Sequence, residues 1–168
     1  MKYLFFTIAL TIFLNCTAFS QTYKSTTTTD YWGNLNTTCK NQYGNVVGKS
    51  TTNTDYWGNL NTTYKNAYGN KTGSAKTTTD YFGNDITQYK DAYGNAVSKS
   101  TGNTDYFGNY KVVEQNNYGN KIGSSTTNTD YFGNVKTDHY NSNGNKQGST
   151  TGTFDYFGNY NQIYKSAW

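Results

Sequence analysis

Residues 60 to 65 read Leu-Asn-Thr-Thr-Tyr-Lys. In an extended chain Leu60, Thr62 and Tyr64 fall on one side, and Asn61, Thr63 and Lys65 on the other. Period-two alternation rich in Thr and Tyr predicts a half-buried strand. The same positions are filled by Leu35, Thr37 and Cys39 in one place and by Tyr160, Gln162 and Tyr164 in another. Thr-rich segments such as residues 49–54 predict further strands. Gly48, Gly73, Gly123 and Gly148 recur inside these and predict a bulge or bend. No proline interrupts the chain, and no segment has helical periodicity.

The strands are separated by a repeated signal. Asp30, Asp55, Asp80, Asp105, Asp130 and Asp155 follow one another every 25 residues, each leading into Tyr, then Trp or Phe, then Gly-Asn. A second Gly-Asn lies 11 residues beyond each of the first five, at Gly44, Gly69, Gly94, Gly119 and Gly144. It is preceded by Asn or Asp three residues earlier, as in Asn66-Ala67-Tyr68-Gly69-Asn70. Asp or Asn opening a type I turn, with Gly in the left-handed conformation at the fourth place, is hairpin chemistry.

The predicted fold is all-β: an antiparallel meander of about twelve short strands, built from six 25-residue hairpin repeats. The first strand would lie one turn short of the last, so both an open single sheet and a closed ring fit the pattern. A parallel solenoid is disfavoured. It would stack the six aspartates ~4.8 Å apart, whereas a meander separates equivalent residues by two strands, ~10 Å.

Two families carry similar signals. Asp55-Tyr56-Trp57-Gly58-Asn59-Leu60 resembles the D-x-x-G-N-L core of RHS/YD repeats, without the tyrosine before the aspartate. Asn143-Gly144-Asn145-Lys146-Gln147-Gly148 resembles the N-G-K-x-x-G step of MORN-type and YwqK-like repeats, although most turns here read aromatic-Gly-Asn. The resemblance runs over residues 21–168. It implies a β-sheet acting as scaffold or binding surface, and it brings no catalytic residue.

Residues 1–20 stand apart. Lys2, an apolar run from Tyr3 to Leu14 and the small residues Ala18 and Ser20 predict a signal peptide, with the repeat domain spanning 21–168. The apolar run is too short to span a membrane. Phe13-Leu14-Asn15 is a poor approach to a lipidated cysteine, which argues against anchoring at Cys16. The expected location is therefore secreted or in the cell envelope. The formal charge is +4 at pH 7, and all the basic residues are lysines spread along the chain. That spacing does not favour a nucleic-acid partner. Beyond the leader Cys39 is the single cysteine, so no internal disulfide is expected.

No sequence motif points to catalysis or to a cofactor, and none is expected. The aspartates read as turn formers, since one per repeat supplies too few oxygens for calcium. His139 and Cys39 share a position with Tyr64, Tyr89, Glu114 and Tyr164, which marks a tolerant strand site rather than a metal or nucleophile site. Thr triplets such as 27–29 are explained by strand propensity without ice binding. Lys24, Lys49 and Lys99 crowd strands that a membrane barrel would face with apolar residues.

Aliphatic residues are scarce, and 18 Tyr, 9 Phe and 3 Trp supply the apolar surface. Two sets recur in the first turn of each repeat. One is Tyr31, Tyr56, Tyr81, Tyr106, Tyr131 and Tyr156; the other is Trp32, Trp57, Phe82, Phe107, Phe132 and Phe157. One set is expected to pack on the sheet as its core, leaving the other as an exposed row that stacks on a partner. The expected function is non-enzymatic: a structural or adhesive surface for a protein or glycan at a cell surface, with self-association as a further partner class. The alternative is a self-assembling, curlin-like amyloid fibre subunit, favoured by the Asn, Gln and Tyr content.

Overall fold

The computed structural model describes residues 22–167; the leader expected over residues 1–20 lies outside them. Twelve strands follow in chain order: β1 (Thr22–Thr29), β2 (Leu35–Lys40), β3 (Val46–Thr54), β4 (Leu60–Asn66), β5 (Lys71–Thr79) and β6 (Asp85–Asp91), then β7 (Ala96–Thr104), β8 (Tyr110–Asn116), β9 (Lys121–Thr129), β10 (Val135–Asn141), β11 (Lys146–Phe154) and β12 (Tyr160–Ser166). Each pairs antiparallel with its neighbours in sequence, and β1 pairs with β12. The sheet is a closed barrel.

Closure follows from a constant stagger. Thr27 of β1 pairs with Thr37 of β2, and Thr37 pairs with Ser50 of β3. One repeat back from Ser50 is Ser25, so each hairpin is displaced by two residues against the one before. Six hairpins therefore accumulate a stagger equal to the strand number, a condition that tilts strands by about 36°. The backbone then lies roughly 11 Å from the axis, and a tyrosine side chain spans more than half of that. Equivalent residues of the six repeats consequently form rings at one height. All first turns (30–34 and its repeats) gather on one rim, and all second turns (41–45 and its repeats) on the other.

The turns form as their chemistry predicts. The Gly33 N–H donates to the Asp30 carbonyl at 3.0 Å, the Asp30 N–H donates to the Asn34 carbonyl at 2.9 Å, and Gly33 sits at φ 82°. The predicted bulges are present as well. The β2–β3 register shifts just after the Cys39↔Gly48 pair, and the same shift recurs beside Gly73, Gly123 and Gly148 at Tyr64/Lys65, Glu114/Gln115 and His139/Tyr140; a fifth shift, which no glycine signalled, lies at Tyr89/Lys90 opposite Ser98. Glycine there has a steric reason: a Cβ on Gly73 would lie 2.7 Å from the Lys90 carbonyl oxygen of the facing strand.

The core departs from expectation. Neither first-turn aromatic set packs on the sheet; both are exposed. The interior is built from strand residues instead: Tyr64, Tyr89, Tyr160, Tyr164, Leu60, Val135 and Cys39 among layers of Ser and Thr. Threonine hydroxyls satisfy one another in pairs, as buried polar groups generally do, while the buried Tyr64 hydroxyl has no hydrogen-bond partner among the described residues. Thr27–Thr37, Thr52–Thr62, Thr77–Thr87 and Thr127–Thr137 each meet at 2.8 Å. The two remaining repeats replace that pair by a size exchange. Where the threonine becomes Gly102 or Gly152, the residue eight places on becomes Tyr110 or Tyr160, and the ring fills the vacated space. A Cβ at Gly102 would lie 2.0 Å from Tyr110 Oη, and one at Gly152 would lie 1.9 Å from Tyr160 Oη.

Candidate functional site

The first rim presents six copies of one device. In each turn the aspartate is folded back into the backbone. Asp30 Oδ1 accepts from the Trp32 and Asn34 N–H groups at 3.0 and 2.9 Å, while Oδ2 accepts from the amides of Asn34 and Asn36 at 3.0 and 3.2 Å. With these partners the carboxylate is a structural acceptor, which agrees with its reading as a turn former. The Asn34 amide holds the Asp30 carboxyl below its ordinary range. Asp55 falls to about 2 through the Asn59 amide first, with Lys76 a smaller contributor at 3.4 Å. Asp105 falls to about 2 chiefly through Lys111 at 3.0 Å.

Pinning the turn fixes its two central residues at the hairpin apex, where they project beyond the sheet. The rings of Tyr31, Trp32, Tyr56, Trp57, Tyr81, Phe82, Tyr106, Phe107, Tyr131, Phe132, Tyr156 and Phe157 are 80–98% exposed. Within each turn the two rings meet edge to face, with centroids 5.6–6.0 Å apart and planes 83–88° apart. That geometry suits the aromatic quadrupole. It leaves ring faces of each pair open to solvent. Trp32 and Trp57 occupy adjacent hairpins, so the two indoles stand side by side on one arc of the rim.

The second rim carries aromatics that the sequence reading left out of the candidate surface. Tyr43, Tyr68, Tyr93 and Tyr118 sit in the second turns and are also exposed. The signal for them was present, because their turns repeat the Asx-x-Tyr-Gly-Asn pattern. The mechanism is the same: Asn41 Oδ1 accepts from the Tyr43 and Asn45 N–H groups, each at 3.0 Å. In the fifth repeat Asn143 replaces the tyrosine.

The titratable residues inside the barrel are separately accounted for. His139 Nε2 lies 2.9 Å from Thr150 Oγ1, its ring packs edge-on against Tyr164, and burial lowers its pKa to about 4. Ser98 Oγ donates to Glu114 at 3.1 Å, while burial raises that carboxyl. Burial pushes the Cys39 thiol up to about 11, away from the reactive thiolate. Tyr110 Oη donates to Asp85 Oδ2 at 2.9 Å. Among the described residues no three His, Cys, Asp or Glu side chains come together where they could hold a metal ion, and no helix is long and apolar enough to cross a membrane.

Comparison with protein-family models, with curated proteins and with solved structures gave no match.

Proposed function

We propose that the protein is an exported, non-enzymatic scaffold whose first rim is an adhesive surface for a protein or glycan partner. The observation that carries this reading is the set of six edge-to-face Tyr–Trp and Tyr–Phe pairs, each held out in solvent by a pinned turn. Exposed aromatics cost solubility and give the barrel no core, so a recurring row of them marks a contact surface. Rigid rings with an open face lose little entropy on binding and stack on sugar rings or protein side chains. Successive pairs stand ~10 Å apart, so one extended partner engages two or more at once and gains by multivalency.

Closure of the sheet also supports this reading over the amyloid alternative. Cross-β growth needs an unpaired strand edge, and here both edges are consumed by the β1–β12 pairing.

The test is retention on glycan arrays and on cell-envelope proteins, comparing the wild type with Trp32→Ala and Trp57→Ala. Both side chains are exposed, so the variants should fold and lose retention. Undiminished retention by the double variant would sink aromatic recognition at these sites.

A further inference from the structure

Every described lysine is exposed, and the barrel sorts them. Spread along the chain, most of them gather in space on the outer wall toward the second rim, while Lys76, Lys111 and Lys136 lie toward the first. Lys24 of β1 lies directly across from Lys40 of β2, Lys49 of β3 across from Lys65 of β4, and Lys65 across from Lys71 of β5. Barrel closure adds Lys165 of β12, which faces Thr22 beside Lys24. Like charges directly opposite one another destabilise a sheet. Among the described residues the ion pairs are Lys76–Asp55, Lys111–Asp105 and Lys146–Asp138, so none of these six lysines is neutralised. The strand positions do not require lysine. Equivalents of Lys24 and Lys49 include Ser74, Ser124 and Ser149, and equivalents of Lys40 and Lys65 include Gln115 and Tyr140.

We propose that this flank binds an acidic polysaccharide, a polymer bearing carboxylate or sulfate groups on successive sugars. Adjacent strands set the points from which these side chains spring ~4.8 Å apart across the sheet, comparable to one sugar unit. Lysine is a point charge that accepts such groups from any direction. The exposed rings of Tyr43 and Tyr68 stand at the ends of the same strands and offer faces for stacking. A nucleic acid is the less suitable polyanion, because the chain contains no arginine, the residue that grips phosphates and guanine bidentately. The surface lies toward the opposite end of the barrel from the first-turn aromatics and does not depend on their role.

The full-length mature chain is tested on immobilised alginate and heparin, with dextran and single-stranded DNA as the other arms. The comparison variant is Lys24→Gln/Lys40→Gln/Lys49→Gln/Lys65→Gln, and Lys136→Gln, an exposed lysine of the outer wall toward the first rim, is the control. The wild type should be retained on alginate or heparin and released by rising salt. The quadruple variant should bind about tenfold or more weakly, with a thermal midpoint unchanged or raised as the repulsion is relieved. Lys136→Gln should keep this retention, which separates the flank from a general loss of positive charge. Equal retention of wild type and quadruple variant, tighter binding to DNA than to either acidic polysaccharide, or no retention of the wild type on either would overturn the proposal.

Discussion

Restoring threonine at Gly152 should destabilise the barrel, and a second substitution should undo the damage. Four of the five equivalent positions hold threonine (Thr27, Thr52, Thr77 and Thr127, against Gly102), so a repeat-by-repeat comparison alone would rate Gly152→Thr as harmless. In the barrel a Cβ there would meet Tyr160 Oη at 1.9 Å and Cζ at 2.3 Å. Tyr160 is 2% exposed and its ring packs on Phe154 with centroids 5.0 Å apart, so it has little room to withdraw. Overpacking of this kind costs about 3 kcal/mol, a fall of about 10 °C in thermal midpoint at this size. Tyr160→Leu alone leaves a void worth about 2 kcal/mol. The double variant recreates the residue combination of the repeats that carry Thr27 with Leu35 and Thr52 with Leu60, with Gln162 across the strand to partner the new hydroxyl. Its stability should return to within about 1 kcal/mol of the wild type, a coupling of roughly 4 kcal/mol. Thermal and urea unfolding followed by circular dichroism measure all four corners of the cycle. Additive losses, or a Gly152→Thr variant as stable as the wild type, would refute the size exchange.

Two further outcomes follow from the titratable groups. An unfolded histidine takes its proton near pH ~6.5, whereas buried His139 does so near 4. Stability is therefore full above pH 6.5 and falls between 6.5 and 4, by about 3 kcal/mol from this residue. Glu114, raised by burial, acts in the opposite sense, losing stability as pH rises from its ordinary value. His139→Gln should flatten the acid-side fall in urea midpoint; an unchanged slope would remove His139 as its source. At the first rim, Asp80→Ala deletes acceptors for the Phe82 and Asn84 N–H groups and for the Asn84 amide. It should lower the thermal midpoint by about 5 °C. Asp80→Asn, which copies the Asn66 turn, should fall between the two; equal midpoints for alanine variant and wild type would deny the carboxylate its pinning role.

Much of the local structure was legible in the sequence because it depends on contacts a few residues apart. Asp30, Gly33 and Asn34 fix a turn among themselves, and the alternation of Leu60, Thr62 and Tyr64 fixes which way that strand faces. The candidate rim was half legible. Its residues were identified, but one aromatic set was expected in the core. Tyr31 and Trp32 occupy the apex of a five-residue hairpin turn, where a side chain passes beyond the sheet and finds nothing to pack against. The core came from strand tyrosines that share a position with His139 and Cys39, a column whose variety disguised its burial.

Taken by itself, the sequence determined the six hairpins, their turn geometry, the bulges and the antiparallel order, since local hydrogen bonding and side-chain alternation decide all of these. Closure was decided only by the tertiary structure. It depends on a stagger of two residues per repeat accumulating over six repeats until β12 meets β1, a sum that no single repeat encodes. Closure in turn sorts the molecule by height. It sets the six Asp-Tyr-Trp/Phe turns and their rings on one rim, brings Lys24, Lys40, Lys49, Lys65, Lys71 and Lys165 together toward the other, and makes Gly152 a necessity for Tyr160 rather than a gap in a threonine column.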